Sequence, residues 1–419
     1  MGTLFSAHSV DKDFRYLIGD LDNLSSNECR FYKLSEIVLK NRGKFIQTEQ
    51  HQDVGQSVKQ PRQLVLFNSS ELDDGSNHSN EGAICHNIQG SGCSLDVNGE
   101  ENVMDRCATD VNVQTDRSYE VESLFKVLPL NKPLYTTQTY VQWHSSITYE
   151  IAFSKCRTSK RTIYLQPINS FPDFIQNFEL RISDHIYSLF GILRTFAELF
   201  FLGMDVQVLP GINIHELGWK ITTRVHQKTG KQQYLVSDFY LKLRSVMPKN
   251  GYCIIGITWT DLYPKEELNF VLGEASGVHK SGVFSFGRFE PKSYNAEMSS
   301  DIFEIDEKIL WRLLKVMSHE VCHLFGLNHC EYFLCAMNES TSLHEAMSQP
   351  LFLCPVCLRK LQTVCKFDLI QRFQKLEAFL SQLNRSWYIP EIERSIEWLQ
   401  RCLHFFKEED TDNSDGFVE

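Results

Sequence analysis

The 419-residue chain lacks a basic excess: 42 Lys and Arg face 53 Asp and Glu, a formal net charge of −11. The positive footprint of a nucleic-acid binder or an anionic-membrane binder is missing, so nucleic acid is not an expected partner. Long apolar runs are missing too. The most apolar window, residues 188–203, contains Arg194 and Glu198 and is too short to cross about 30 Å of hydrocarbon, so no transmembrane segment is expected. The chain does not start with a charged region followed by an apolar one, and its 13 cysteines make an odd number. These features argue against a secreted disulfide scaffold and for an intracellular protein, cytoplasmic or nuclear, with reduced thiols. The opening MGTLFS fits the loose pattern for myristoylation at Gly2, but no polybasic patch follows to supply a second anchor.

Aromatic residues are absent from residues 68–118, where ten acidic side chains meet only Arg106 and Arg117. Such a segment cannot bury enough apolar surface to offset its ordering entropy, and disorder is the expectation. It carries −8 of the −11, so the remainder is nearly charge-balanced. This divides the chain into an N-terminal region of unassigned fold (1–67), a disordered acidic insert (68–118), one main domain (119–407) and an acidic tail (408–419).

Within the main domain, strands are predicted at 161–168, 204–210, 252–258 and 282–289, with a core-facing helix over 185–202. Strand, helix, strand in succession implies a mixed α/β sheet. From Asp306 the apolar residues Ile309, Leu310, Leu313, Leu314, Met317, Val321 and Leu324 recur at helical spacing up to Gly326, and a later amphipathic helix covers 367–383. Asp261, in DLYP, reads as a turn cap before Pro264. His185, His215, His226 and His279 have no recognisable partner spacing.

The chemistry concentrates in HEVCHLFGLNHCEYFLCAM, residues 319–337. His319 and His323 are four apart on the predicted helix, so their imidazoles stack on one face and can share a zinc ion. Gly326 lets the backbone leave the helix through a left-handed conformation and bring His329 back as a third ligand. Three histidines leave one tetrahedral position open for water, the mark of a catalytic zinc. Glu320, beside the first ligand, is placed to be the general base of peptide hydrolysis. Cys330, Cys335, Cys354 and Cys357 follow in two pairs, a spacing typical of a closed structural zinc site; a disulfide or a redox pair are the competing readings. Two zinc ions per chain are therefore expected, one catalytic and one structural. Cys322 reads as a small packed hydrophobe, Tyr332 as an ordinary packed tyrosine, and His344 and Glu345 as solvated.

At these residues the chain resembles the archaemetzincins, a branch of the metzincin zinc peptidases. The family pattern combines His-Glu-x-x-His-x-x-Gly-x-x-His, a cysteine directly after, a second cysteine five residues on, Cys-x-Met and a distal Cys-x-x-Cys, and every element is present. The resemblance extends through IIGITWTDLYPKEELNFVLGEAS (254–276), GVFSFGRF and LCPVCLRKLQ, covering roughly residues 160–380. It implies a zincin-like α/β fold with the active-site helix beneath a cleft, and a peptide or protein as substrate. It also implies a Met-turn at Met337, for which an ordinary core methionine is the alternative, and an edge strand within 269–289 that binds substrate in extended form. The competing class is a catalytically weak zinc-binding interaction module, which would have no need of a general base at Glu320.

Overall fold

The computed structural model describes residues 7–40, 124–129, 137–153, 160–290 and 303–412. Gly2, the acidic segment 68–118 and residues 413–419 lie outside the described residues.

Ten strands are described, in chain order β1 (Thr162–Ile168), β2 (Glu179–Ile182), β3 (His185–Ser188), β4 (Asp205–Val208), β5 (Thr223–Val225), β6 (Gln232–Leu235), β7 (Gly251–Thr258), β8 (Asp261–Tyr263), β9 (Gly273–Ser276) and β10 (Ser281–Ser285). Five form the central sheet in the order β4-β1-β7-β10-β9. Neighbours from β4 to β10 run parallel, and β9 closes the edge antiparallel to β10. Every residue of β1 and β10 is buried, as is nearly all of β7. That burial explains the continuous apolar runs: parallel strands covered on both faces show no alternation.

Side-chain alternation along β9 sets the layers. A Cβ on Gly273 would meet Glu320 on the Glu307–Leu324 helix, whereas the next side chain, Glu274, accepts a hydrogen bond from Tyr240 on the Phe239–Val246 helix. Successive residues of a strand point to opposite faces, so the two helices cover opposite sides of this edge.

The predicted helix over 185–202 begins only at Leu189; residues 185–188 form β3, which pairs antiparallel with β2. Ser188 caps the helix by accepting from the Gly191 N–H. Asp261 is not a turn cap. It is buried in β8, takes two hydrogen bonds of 2.6 Å from Arg288 and a third of 2.6 Å from Gln233. His279 does find a partner, the Ser276 hydroxyl at 2.7 Å.

Residues 7–40 contribute the helices Ala7–Ile18 and Ser26–Lys33, and Phe14, Leu17, Ile18, Phe31 and Tyr32 join the same apolar core as the sheet. Polar contacts fasten them: the Tyr32 hydroxyl donates to Gln362 Oε1 at 2.8 Å, and Gln362 Nε2 donates to Glu28 at 2.6 Å. At the other end the Pro390–Asp412 helix runs into the acidic stretch expected to begin at 408 as a tail. No helix among the described residues is long and apolar enough to cross a membrane.

Candidate active site

The Glu307–Leu324 helix starts where Asp306 accepts from the Ile309 N–H at 2.9 Å, and almost its whole length is buried. Its end is a Schellman turn: Gly326 adopts φ +80°, its N–H donates to His323 O, and the Leu327 N–H reaches back to Cys322 O. Residues far upstream clamp this turn. Trp143 Nε1 donates to Phe325 O at 3.0 Å, and the Gln138 side chain donates to Gly326 O while accepting from the Asn328 N–H.

That turn brings His329 back to the helix. The three imidazole ring centroids lie 4.7 to 5.4 Å apart, and one nitrogen from each of His319, His323 and His329 falls within 4.8 Å of the others. His319 Nδ1 lies 2.7 Å from Ala336 O, and His323 Nδ1 lies 2.7 Å from Leu327 O. A carbonyl only accepts, so both Nδ1 atoms carry the proton and both Nε2 atoms present lone pairs. Those two Nε2 atoms face each other at 3.1 Å. Two lone pairs so close repel unless a cation lies between them, and a tetrahedral zinc with Zn–N near 2.05 Å sets its ligand nitrogens about 3.3 Å apart. The donor set fits that ion. Burial, with His323 and His329 nearby, holds the His319 imidazole well below its usual range, and burial brings His323 down to about 4, so both rings are neutral at pH 7.

Glu320 is buried on the same helix. Burial pushes its carboxyl well above the usual range, and the carboxylate of Glu274 adds to the effect.

Cys330, Cys335, Cys354 and Cys357 are all buried with their sulfurs within 4.8 Å of one another. The Cys330 and Cys354 sulfurs stand 3.6 Å apart, far beyond a disulfide bond of about 2.05 Å and close to the roughly 3.8 Å edge of a tetrahedral Zn–S₄ site. Backbone N–H groups of Met337 and Cys354 donate to Cys335 Sγ. Hydrogen bonds from the other three thiols hold Cys330 well below the ordinary thiol range.

Met337 is fully buried, and its carbonyl accepts from the Cys330 N–H. Cys322 is buried, and the buried Tyr332 donates its hydroxyl to Thr137 O at 3.1 Å. Glu345 is exposed and accepts from the Thr341 N–H. Sequence reasoning overlooked Gln138 and Trp143, which no local spacing marks, and Lys315. For Lys315 a signal existed, a cation on the apolar face one turn before His319.

The chain is similar to several known proteins. The model of peptidase family M54 matches residues 208–363. Archaemetzincin-2 of Rattus norvegicus is 30% identical over 279 residues, spanning 58% of this chain and 75% of the relative. Archaemetzincin-1 of Homo sapiens is 30% identical over 282 residues, 62% of this chain and 53% of its own. The crystal structure of archaemetzincin from Methanopyrus kandleri covers 50% of this chain and 98% of its own at 25% identity, with a TM-score of 0.36. With three quarters of a 30%-identical relative covered and the three-histidine and four-cysteine clusters both assembled, this chain belongs to the archaemetzincin family of metallopeptidases.

Proposed function

We propose that the chain hydrolyses peptide bonds at the three-histidine cluster, with Glu320 as general base. The observation that carries this reading is the pair of inward-facing Nε2 lone pairs on His319 and His323, fixed by carbonyl acceptors, with the buried Glu320 next to His319 in the same helix. His319, His323 and His329 would hold a catalytic zinc, and Cys330, Cys335, Cys354 and Cys357 a structural one, two ions per chain, with Met337 as the Met-turn. Zinc bound at the histidines supplies Lewis acidity: it polarises a carbonyl and lowers the pKa of water towards about 7. Glu320 takes the proton of the attacking water and passes it to the leaving amine; its burial makes it a stronger proton acceptor than a solvated carboxylate.

The substrate is a peptide in extended form. β9 is the edge of the central sheet, within the 269–289 segment expected to receive substrate, and its Gly273 abuts Glu320. A strand added along that edge would pass the base.

Metal analysis and peptide-library cleavage on wild type and Glu320→Gln test the reading. Equal zinc content, with cleavage reduced about 10²-fold or more in the variant, is the expected result. A fully metal-loaded wild type that cleaves nothing would overturn it in favour of the interaction module.

A further inference from the structure

A cavity of about 310 Å³ lies where distant segments meet: residues 124–126, the 347–352 stretch and the Pro390–Asp412 helix. Contacts among its lining residues hold these together. The Phe352 and Trp398 rings stack with centroids 3.9 Å apart, and Trp398 Nε1 donates to Leu124 O at 2.9 Å. The volume is that of a small-molecule site, at the lower end of the roughly 300–1,000 Å³ such sites occupy. None of the three histidines lines it.

The lining divides by chemistry. Leu334, Met347, Pro350 and Phe352 are half-buried and offer apolar surface, while Lys126, Arg394 and Arg401 are exposed. Glu391 is the one carboxylate in the lining, and it lies 3.4 Å from Arg394. Among the described residues Lys126 and Arg401 form no ion pair. The cavity thus carries a local positive excess on a chain whose net charge is −11. Trp311, on the Glu307–Leu324 helix, is a buried part of the same lining, and its Nε1 has no hydrogen-bond partner among the described residues. Orphan donors of this kind are rare in native interiors and are expected where a ligand or water supplies the acceptor.

Apolar surface with unpaired cations around one cavity suits an anion with a flat hydrophobic body: the apolar side chains shield the body, and the cations take the charge through charge-assisted hydrogen bonds. We propose that this cavity binds a small organic acid, an aromatic carboxylate in chemical class. Two of its lining segments are bonded to the loop that orients His319. Lys126 O accepts from the Leu334 N–H and Phe352 O from the Ala336 N–H, both at 2.8 Å, while Ala336 O faces His319 Nδ1. A bound acid braces that loop, and by linkage the acid and a zinc ion at the histidines strengthen each other. The coupling rests on the zinc reading of the histidines given above; the binding site does not.

Naphthalene-1-carboxylate and its neutral amide, titrated calorimetrically onto the zinc-loaded full chain, test the site. One carboxylate per chain should bind, about tenfold tighter than the amide, because a hydrogen bond to a charged group is the stronger kind. The preference should fall close to one in the double variant Lys126→Glu/Arg401→Glu and persist in Lys126→Arg/Arg401→Lys; both positions are exposed, so these variants keep the fold. Graded chelation with and without the acid reads the coupling, and zinc at the histidines should be held about fivefold more tightly in its presence. Binding that leaves zinc retention unchanged would keep the site and remove its link to the metal. Equal affinity for acid and amide, binding of neither, or a preference that survives the charge reversal, as binding at the zinc would, overturns the assignment. Binding of the peptide Asp-Phe-Asp in place of the acid also overturns it, making the cavity a seat for a chain segment.

Discussion

The backbone N–H of Cys330 donates to the carbonyl oxygen of Met337 across 2.7 Å, closing the loop that separates the two candidate metal sites. Asn338 braces it from inside, donating to Cys330 O and accepting from the Cys335 N–H, both at 2.7 Å. The same loop offers Ala336 O to His319 Nδ1. The four-cysteine cluster and the three-histidine cluster therefore share one piece of backbone.

Cys354→Ser touches none of the histidines but removes one sulfur from the cluster that holds this loop. Its affinity for zinc at the histidines should fall about 10-fold to 100-fold, the usual effect of disturbing the groups that orient metal ligands. Competition with a graded chelator, following the two ions separately, measures it. Full retention at the histidines would show that the two sites are independent.

Gly273→Ala should slow catalysis without removing metal. The new Cβ would stand 2.7 Å from Glu320 Cγ and 2.8 Å from Phe284 Cβ. The Phe284 Cβ is fixed to the backbone of the paired strand β10, so Glu320, met at its Cγ and Cδ, is the side chain that has to move. A displaced base costs about tenfold or more in kcat. Steady-state kinetics at verified zinc content would reveal it, and an unchanged kcat would refute the placement of Glu320 against β9.

Phe31→Ala tests whether the N-terminal helices are part of the cooperative core. Phe31 is fully buried and its ring packs against Tyr32, Phe125, Phe373, Phe405 and Phe406. Truncation should destabilise the whole domain by about 3–5 kcal/mol. In urea, one transition shifted to lower denaturant is expected, whereas a separate early transition would mean that residues 7–40 unfold alone.

Lys315→Met should alter the pH dependence of stability. Burial brings the folded lysine down to about 7, against an opposing pull from Cys335, from a value near 10.4 in the unfolded chain. Between those values the unfolded chain binds the extra proton, so wild-type stability decreases as pH falls from about 10.4 to 7. The variant lacks that loss and should gain on wild type across the window, with a level difference below it. Denaturation of both zinc-loaded proteins between pH 6 and 10.5 measures this. A difference that stays constant throughout would mean that Lys315 has a counter-ion in the native state.

Most of the candidate site was legible because its information is local. Helical spacing brings His319 and His323 together, one glycine turns the chain, and His329 follows within a few residues. The buried strands were legible for a related reason: an apolar run such as YCIIGIT declares a covered parallel strand wherever it lies. What escaped depends on distant partners. Asp261 read as a turn cap because Arg288 is 27 residues away. The docking of the first helices rests on Gln362, more than 300 residues from Tyr32 and Glu28. Strand β3 was hidden because its few residues run straight into an amphipathic helix, whose periodicity absorbs them.

The clamp on the Gly326 turn reaches across 182 to 190 residues of chain, from Gln138 and Trp143 to Phe325, Gly326 and Asn328. The histidine motif is complete within eleven residues, but the bend that delivers its last member is held by a segment from the other end of the domain. Such distant pairings close slowly, because a long loop must give up its freedom first. Cutting power is thus tied to maturity: a chain stalled part-way to the native state, or newly released from synthesis, carries the motif without the blade.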